Sequence, residues 1–201
     1  MQETLAAAMI TFTGWDAQTP LFDPMCGSGT LLCEALIKGA RIPPALLRSR
    51  FGLEHMPDFD SSLWAEVRGM SQSLGRNLPQ GLIRGSDVDQ HAVRAARTNC
   101  SQLPGGKGIV LQETGFVDAP GLNEGVIVCN PPYGRRLQDK RQTAELLESF
   151  GRFLRRRCSG ATAYVYLGSR ELHSQIPLSP AWTKDLSNGG LQGCLAKYRI
   201  R

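Results

Sequence analysis

The sequence predicts an α/β fold: a mostly parallel sheet with helices on both faces and an antiparallel hairpin at its C-terminal end. Three observations predict it. After residue 20, short apolar runs alternate with segments of helical periodicity, the pattern of a parallel sheet crossed over by helices. The apolar run 126–129 stops at Asn130-Pro131-Pro132, as an interior strand must, because proline cannot donate to a ladder. Near the C-terminus, two extended runs flank Asn188-Gly189-Gly190, a strong hairpin signal.

The elements follow in order. Segment 3–15, ETLAAAMITFTGW, reads as an opening helix, and residues 20–23 as a short strand. In 29–40, GTLLCEALIKGA, Leu31, Leu32, Ala35 and Leu36 share one helical face, and Gly39 marks a stop. Residues 41–80 break the rhythm with Pro43, Pro44, Pro57 and Pro79 and hold one helix, SLWAEVRGMSQSL. They read as an insertion before the second strand. That strand, GLIRGSDVD, ends in acids; QHAVRAARTNC is a helix, and KGIVLQET and EGVIVCN are strands. A helix over 142–157 precedes a fifth strand, ATAYVYLGS, and the hairpin tail brings the sheet to seven strands. A length of 201 residues without repeat or low-complexity tract fits one domain, 1–201.

Composition narrows the function classes. An apolar fraction of 41% and a charged fraction of 20% describe a soluble globular chain, and no apolar run is long enough for a membrane span. Glu3 stands where a signal peptide wants basic residues, so a cytoplasmic protein is expected, and a monomer. Cys26, Cys33, Cys100, Cys129, Cys158 and Cys194 are scattered without a C-x-x-C pair, which suits reduced buried thiols and no metal site. The net charge of +5 is unevenly spread. Arginines gather at Arg41, Arg48 and Arg50, beside the Pro-Pro turn at Arg135 and Arg136, and at Arg152 and 155–157. Such clusters fit a nucleic-acid partner, although the last alone also fits a solvated helix face.

Three unusual stretches fall after strands, where open parallel sheets bind ligands. The first, DPMCGSGT, is a glycine turn into a helix: Asp23, Cys26, Gly27, Ser28, Gly29 and Thr30. Its glycines admit positive φ and close approach of a ligand, and the helix start favours an anion such as a carboxylate. It is not a dinucleotide fingerprint, because Leu32 occupies the third glycine position, nor a P-loop, because no lysine follows Gly29. The same turn also serves as a plain strand-to-helix junction. The second stretch puts Asp87 at a strand end, where a carboxylate can accept both hydroxyls of a ribose, while Asp89 is placed to cap the next helix. In the third, NPPYG, the Asn130 amide oxygen and the Pro131 carbonyl can accept both N–H groups of a planar amine. Pro132 stiffens the turn, and Tyr133 can stack on the flat group so held. An exocyclic amine is a poor nucleophile because its lone pair is delocalised; holding both protons aims that pair at an electrophile.

DPMCGSGT, GSDVD and NPPYG in this order resemble the Rossmann-like, class I S-adenosylmethionine-dependent methyltransferases that modify exocyclic nitrogens. With ETLAAAM upstream, DPMCGSGTLLCEA, the Trp-containing insertion and the terminal SNGGLQGCL, nearly the whole chain is similar to the catalytic domain of the large-subunit ribosomal RNA guanine-N2 methyltransferases. The resemblance implies S-adenosylmethionine as cofactor, S-adenosylhomocysteine as product, no metal, and guanine N2 in 23S ribosomal RNA as target. Asp23, Cys26, Gly27, Ser28, Gly29 and Thr30 would line the methionine end of the cofactor, Asp87 the ribose, and Asn130, Pro131, Pro132 and Tyr133 the target amine. The family's acid after the third strand, which binds the adenine amino group, is replaced near that position by Gly115; Asp118, three residues on, is the substitute. The family's upstream RNA-capturing domain is absent before QETLAAAM, so an excised domain of a longer RNA-binding protein is expected. Adenine-N6 methylation of DNA, glutamine-N5 methylation of protein, and an inactive RNA-binding module are the alternatives.

Overall fold

The computed structural model describes residues 1–44, 46–132, 137–188 and 190–201; the side chains of 137–139, 188 and 191 lie outside the description. Seven strands form one sheet: β1 (Leu21–Asp23), β2 (Ile83–Asp87), β3 (Val110–Glu113), β4 (Gly125–Cys129), β5 (Ala161–Leu167), β6 (Trp182–Asn188) and β7 (Leu191–Arg199). Their order is β3-β2-β1-β4-β5-β7-β6. The first five are parallel, and β7 inserts antiparallel beside β5, leaving β6 as the outer edge. The sequence predicts this hairpin as an antiparallel edge. Its second strand is in fact interior, because Cys194, Leu195, Ala196 and Tyr198 are buried.

The helices are α1 (Glu3–Thr13), α2 (Thr30–Gly39), α3 (Ser61–Ser73), α4 (Gln90–Ser101) and α5 (Leu137–Arg157). Strand periodicity of two divides the core into two layers. Val126, Val128, Tyr164 and Tyr166 face the layer built with Leu5, Met9 and Ile10 of α1 and Leu31, Leu32 and Leu36 of α2. Ile127, Cys129, Ala163 and Val165 face Leu147, Phe150, Phe153 and Leu154 of α5. Interior strands covered on both faces read as continuous apolar runs, which is why VIVC carries no polar residue.

Boundaries depart from the sequence reading at three helices. α1 stops at Thr13 because Gly14 turns left-handed, φ 67°, and returns its N–H to the Thr11 carbonyl. Gly39 is the last residue of α2 for a different reason than a stop. A Cβ there would lie 2.8 Å from the Trp15 ring, so the glycine admits the indole. α5 begins at Leu137 instead of 142, and its first exposed turns carry an Arg141–Glu145 pair at i,i+4 spacing. The insertion holds α3, capped by Asp60, whose carboxylate accepts the N–H groups of Ser62 and Leu63. None of its thirteen residues is buried.

Candidate cofactor and amine site

β1 is the switch point: its neighbours β2 and β4 lead to opposite halves of the sheet. The loops after β1, β2 and β4 therefore meet at one edge. There a cavity of about 480 Å³ is lined by Pro24, Met25 and Gly27 from the first loop, Asp87, Val88 and Asp89 from the second, and Asn130, Pro131 and Pro132 from the third. Ala92, Gly115, Phe116 and Leu146 complete it.

The glycine loop is held from three sides. Gly27 N–H donates to Asp87 Oδ2 at 2.9 Å, and Cys26 N–H to the Ser86 carbonyl at 2.9 Å. Asn99 Nδ2, on α4, donates to the Ser28 carbonyl at 2.9 Å. Gly27 and Gly29 have φ of 53° and 83°, and a Cβ on Gly29 would meet the Ala96 Cβ at 3.0 Å. Both the left-handed turn and the close approach to α4 require glycine at 29. No side chain caps α2, so its first-turn N–H groups remain available to an anion.

Asp87 accepts a second backbone donor, Asp89 N–H at 3.0 Å on Oδ1, which fixes the carboxylate plane. Asp89 accepts from His91 N–H at 2.8 Å as the α4 cap, yet also borders the cavity. Asp23 is 1% exposed, and its Oδ1 accepts Met25 N–H at 3.1 Å. Burial pushes its carboxyl up to about 8; the Met25 N–H works against this and the Asp87 charge adds to it. The thiol of Cys26 is likewise raised, by burial first and then by Asp23 and Asp87, so it stays protonated and unreactive. All six cysteines are free, and among the described residues no group of three or more His, Cys, Asp or Glu is placed to hold a metal.

Asn130 differs from its neighbours. Its Oδ1 is buried and has no hydrogen-bond partner in the described structure. A buried carbonyl without a donor is costly, on the order of 1–3 kcal/mol, and marks a place where a ligand can satisfy it. Pro131 beside it is buried and Pro132 exposed.

The structure thus brings together Gly27, Asp87, Asn130, Pro131 and Pro132 on one cavity. Asp23, Cys26, Ser28, Gly29 and Thr30 are not among its walls; they form the loop and strand end behind Gly27. Asp118 is exposed and absent from the lining, where Gly115 and Phe116 stand instead. Tyr133, Arg135 and Arg136 lie outside the described residues. Sequence reasoning missed Val88, an apolar residue between two acids and the one available signal, and the braces Ser86 and Asn99, for which spacing offered none.

These loops belong to a recognised arrangement. The UPF0020 family model, described as an RMKL-like methyltransferase domain, matches residues 1–197. The chain belongs to that family. It is 36% identical, over all its 201 residues, to slr0064 of Synechocystis sp., a protein provisionally named an RNA methyltransferase. It is 35% identical over 207 residues to the ribosomal RNA large subunit methyltransferase K/L of Aliivibrio fischeri. The solved structure of SMU.472, a complex with S-adenosylhomocysteine, superposes with a TM-score of 0.90 at 28% identity, covering 99% of this chain and 52% of that one. The chain spans 52% of the Synechocystis protein and 29% of the Aliivibrio protein. No described helix of this RMKL-like domain is long and apolar enough to cross a membrane.

Proposed function

We propose that this domain transfers a methyl group from S-adenosylmethionine to the exocyclic N2 of a guanine in 23S ribosomal RNA. Membership of the RMKL-like methyltransferase family supports methyl transfer, and the Aliivibrio relative's name supports the large-subunit target. The S-adenosylhomocysteine held by SMU.472 supports the cofactor. The observation that carries the reading is the Asn130 Oδ1, buried and unpartnered on a residue lining the cavity shared by Gly27 and Asp87.

When bound, S-adenosylmethionine supplies an activated methyl group on a positively charged sulfur. Asp87 orients the ribose: each oxygen already accepts a backbone N–H and keeps lone pairs for the hydroxyls. Asp23, Cys26, Ser28, Gly29 and Thr30 shape the turn around the methionine end, where the free N–H groups of α2 suit its carboxylate. The Asn130 amide oxygen and the Pro131 carbonyl accept the two N–H groups of the guanine amine, and Pro132 keeps the turn stiff. Tyr133 stacks on the base. The displaced amine proton leaves to solvent, so no separate base is required. Much of the RNA phosphate contact belongs, in this proposal, to further chain of the kind that the longer relatives possess.

Mass spectrometry of 23S ribosomal RNA from a strain lacking the gene tests this. One N2-methylguanosine should disappear and return with the wild-type gene but not with Asn130→Ala. Unchanged N2-methylguanosine rejects the target. Loss of a methyl from adenine or from a protein glutamine would move the activity to another substrate of the same elbow.

A further inference from the structure

Two helices meet through sulfur beside the glycine loop. Cys33, on α2, and Cys100, near the end of α4, are 67 positions apart in the chain, and their Sγ atoms lie 3.7 Å from each other. Cys100 is buried and Cys33 partly exposed. The pair is asymmetric. Cys33 stands in the first turn of α2, where the helix dipole favours negative charge. The S–H of Cys100, donated to its sulfur, holds it below the ordinary thiol range, and burial works against this. Cys100 is held above that range by the same contact and by burial. Burial also pushes up the remaining thiols, Cys26, Cys129, Cys158 and Cys194. Cys33 is therefore the nucleophile, and Cys100 the thiol placed to resolve what it forms.

We propose that Cys33 and Cys100 are a redox-sensitive pair: a two-electron oxidant such as hydrogen peroxide closes them to a disulfide, which loosens the loop that holds the cofactor. This rests on the reading that the glycine loop shapes the methionine end of the S-adenosylmethionine site. The Cys33 thiolate attacks one peroxide oxygen, the O–O bond breaks, and hydroxide leaves to take up the proton that Cys33 released. Cys33 is then a sulfenic acid. The Cys100 sulfur attacks the Cys33 sulfur, the S–O bond breaks, and the oxygen leaves as water with the Cys100 proton. Two thiols and one peroxide thus give one disulfide and two waters, and a dithiol reductant returns the disulfide to the thiols.

The link from the sulfurs to the loop is short. Cys33 N–H donates to the Gly29 carbonyl at 2.9 Å, and a Cβ on Gly29 would lie 3.5 Å from the Cys100 Sγ. Asn99, the residue before Cys100, holds the Ser28 carbonyl at 2.9 Å, a bond already at its best length. To become a disulfide the two sulfurs must close by roughly 1.7 Å, to ~2.05 Å. The loop has no slack to absorb this on the side of α4, because Ala96 already stands where a Gly29 Cβ would project. Drawing Cys100 towards Cys33 therefore lengthens or bends the Asn99 bond, Ser28 loses its brace, and cofactor affinity falls.

Peptide mass spectrometry of the folded chain after hydrogen peroxide should find Cys33 linked to Cys100 and the other cysteines still reduced. Calorimetry should show the S-adenosylhomocysteine dissociation constant raised by roughly 5- to 50-fold in the oxidised chain, a usual range for coupled sites, and restored by dithiothreitol. In Cys33→Ser the affinity should match the reduced wild type and not respond to peroxide. Cys100→Ala should stop at the Cys33 sulfenic acid, which dimedone traps. Because linkage is reciprocal, saturating S-adenosylhomocysteine should shift the balance in a dithiothreitol redox buffer towards the thiols by the same factor. A folded chain that leaves the two thiols unlinked overturns the proposal, and so does a disulfide that changes neither affinity nor that balance. A reduced chain that binds no S-adenosylhomocysteine overturns the cofactor reading and this proposal with it, whereas one that binds it and forms no disulfide overturns this proposal alone.

Discussion

At the scale of single residues, two side chains carry opposite burdens. Asn130 presents a buried oxygen with nothing to bond, and its role is readable from what it lacks. Asn130→Ala should lower the single-turnover methyl-transfer rate by roughly 10²–10³-fold, the usual cost of one positioned polar group, while S-adenosylhomocysteine affinity stays within a factor of two. An unchanged rate would remove Asn130 from the chemistry. Asp23 carries a burial cost instead: its carboxyl is pushed up to about 8 by desolvation. Because the folded value is raised, the folded chain holds this proton where the unfolded chain releases it. Stability on this account is full below about pH 4 and is lost as pH rises through about 8. Asp23→Asn should therefore flatten the fall in denaturant midpoint between pH 5 and 8, and a slope equal to the wild type's would show that Asp23 is not its source. Asn130 was legible in sequence because prolines mark it. The proton on Asp23 was not, since nothing in DPMCGSGT says that the strand end is sealed from water.

Among elements, the glycine loop shows how a short motif depends on a distant helix. Gly29 sits at φ 83° with Ala96 where a Cβ would project, and Ser28 is held by Asn99, both from α4. Gly29→Ala combines backbone strain with a crowded Cβ and should cost about 1–3 kcal/mol in urea unfolding and weaken S-adenosylhomocysteine binding. If calorimetry shows an unchanged affinity, the loop does not shape the cofactor site. The periodicity of α2 was legible down to its buried face, Leu31, Leu32, Ala35 and Leu36. Its contact with α4 was not, because seventy residues separate Ser28 from Asn99 and no local pattern reports a long-range hydrogen bond. Helix ends were the least legible, since Gly14, Gly39 and the start of α5 depend on caps and neighbours rather than period.

For the molecule as a whole, ligand linkage is the broadest test. S-adenosylhomocysteine at about 100 times its dissociation constant should add ~2.7 kcal/mol of stability and raise Tm by about 5–10 °C for a domain of this size. No shift at saturating ligand would contradict the proposed cofactor. The sequence by itself determined the alternation of strands and helices, the three loops at one edge and the residue types in each, because period, proline and glycine act locally. Only tertiary structure decided which strand of the closing hairpin is interior, that Gly27 binds Asp87, that Gly115 and Phe116 rather than Asp118 face the cavity, and that α3 packs without burying any of its residues. The physical reason is common to all four. Each is a choice among partners far apart in the chain, and burial of the whole sheet, not any local preference, selects between them.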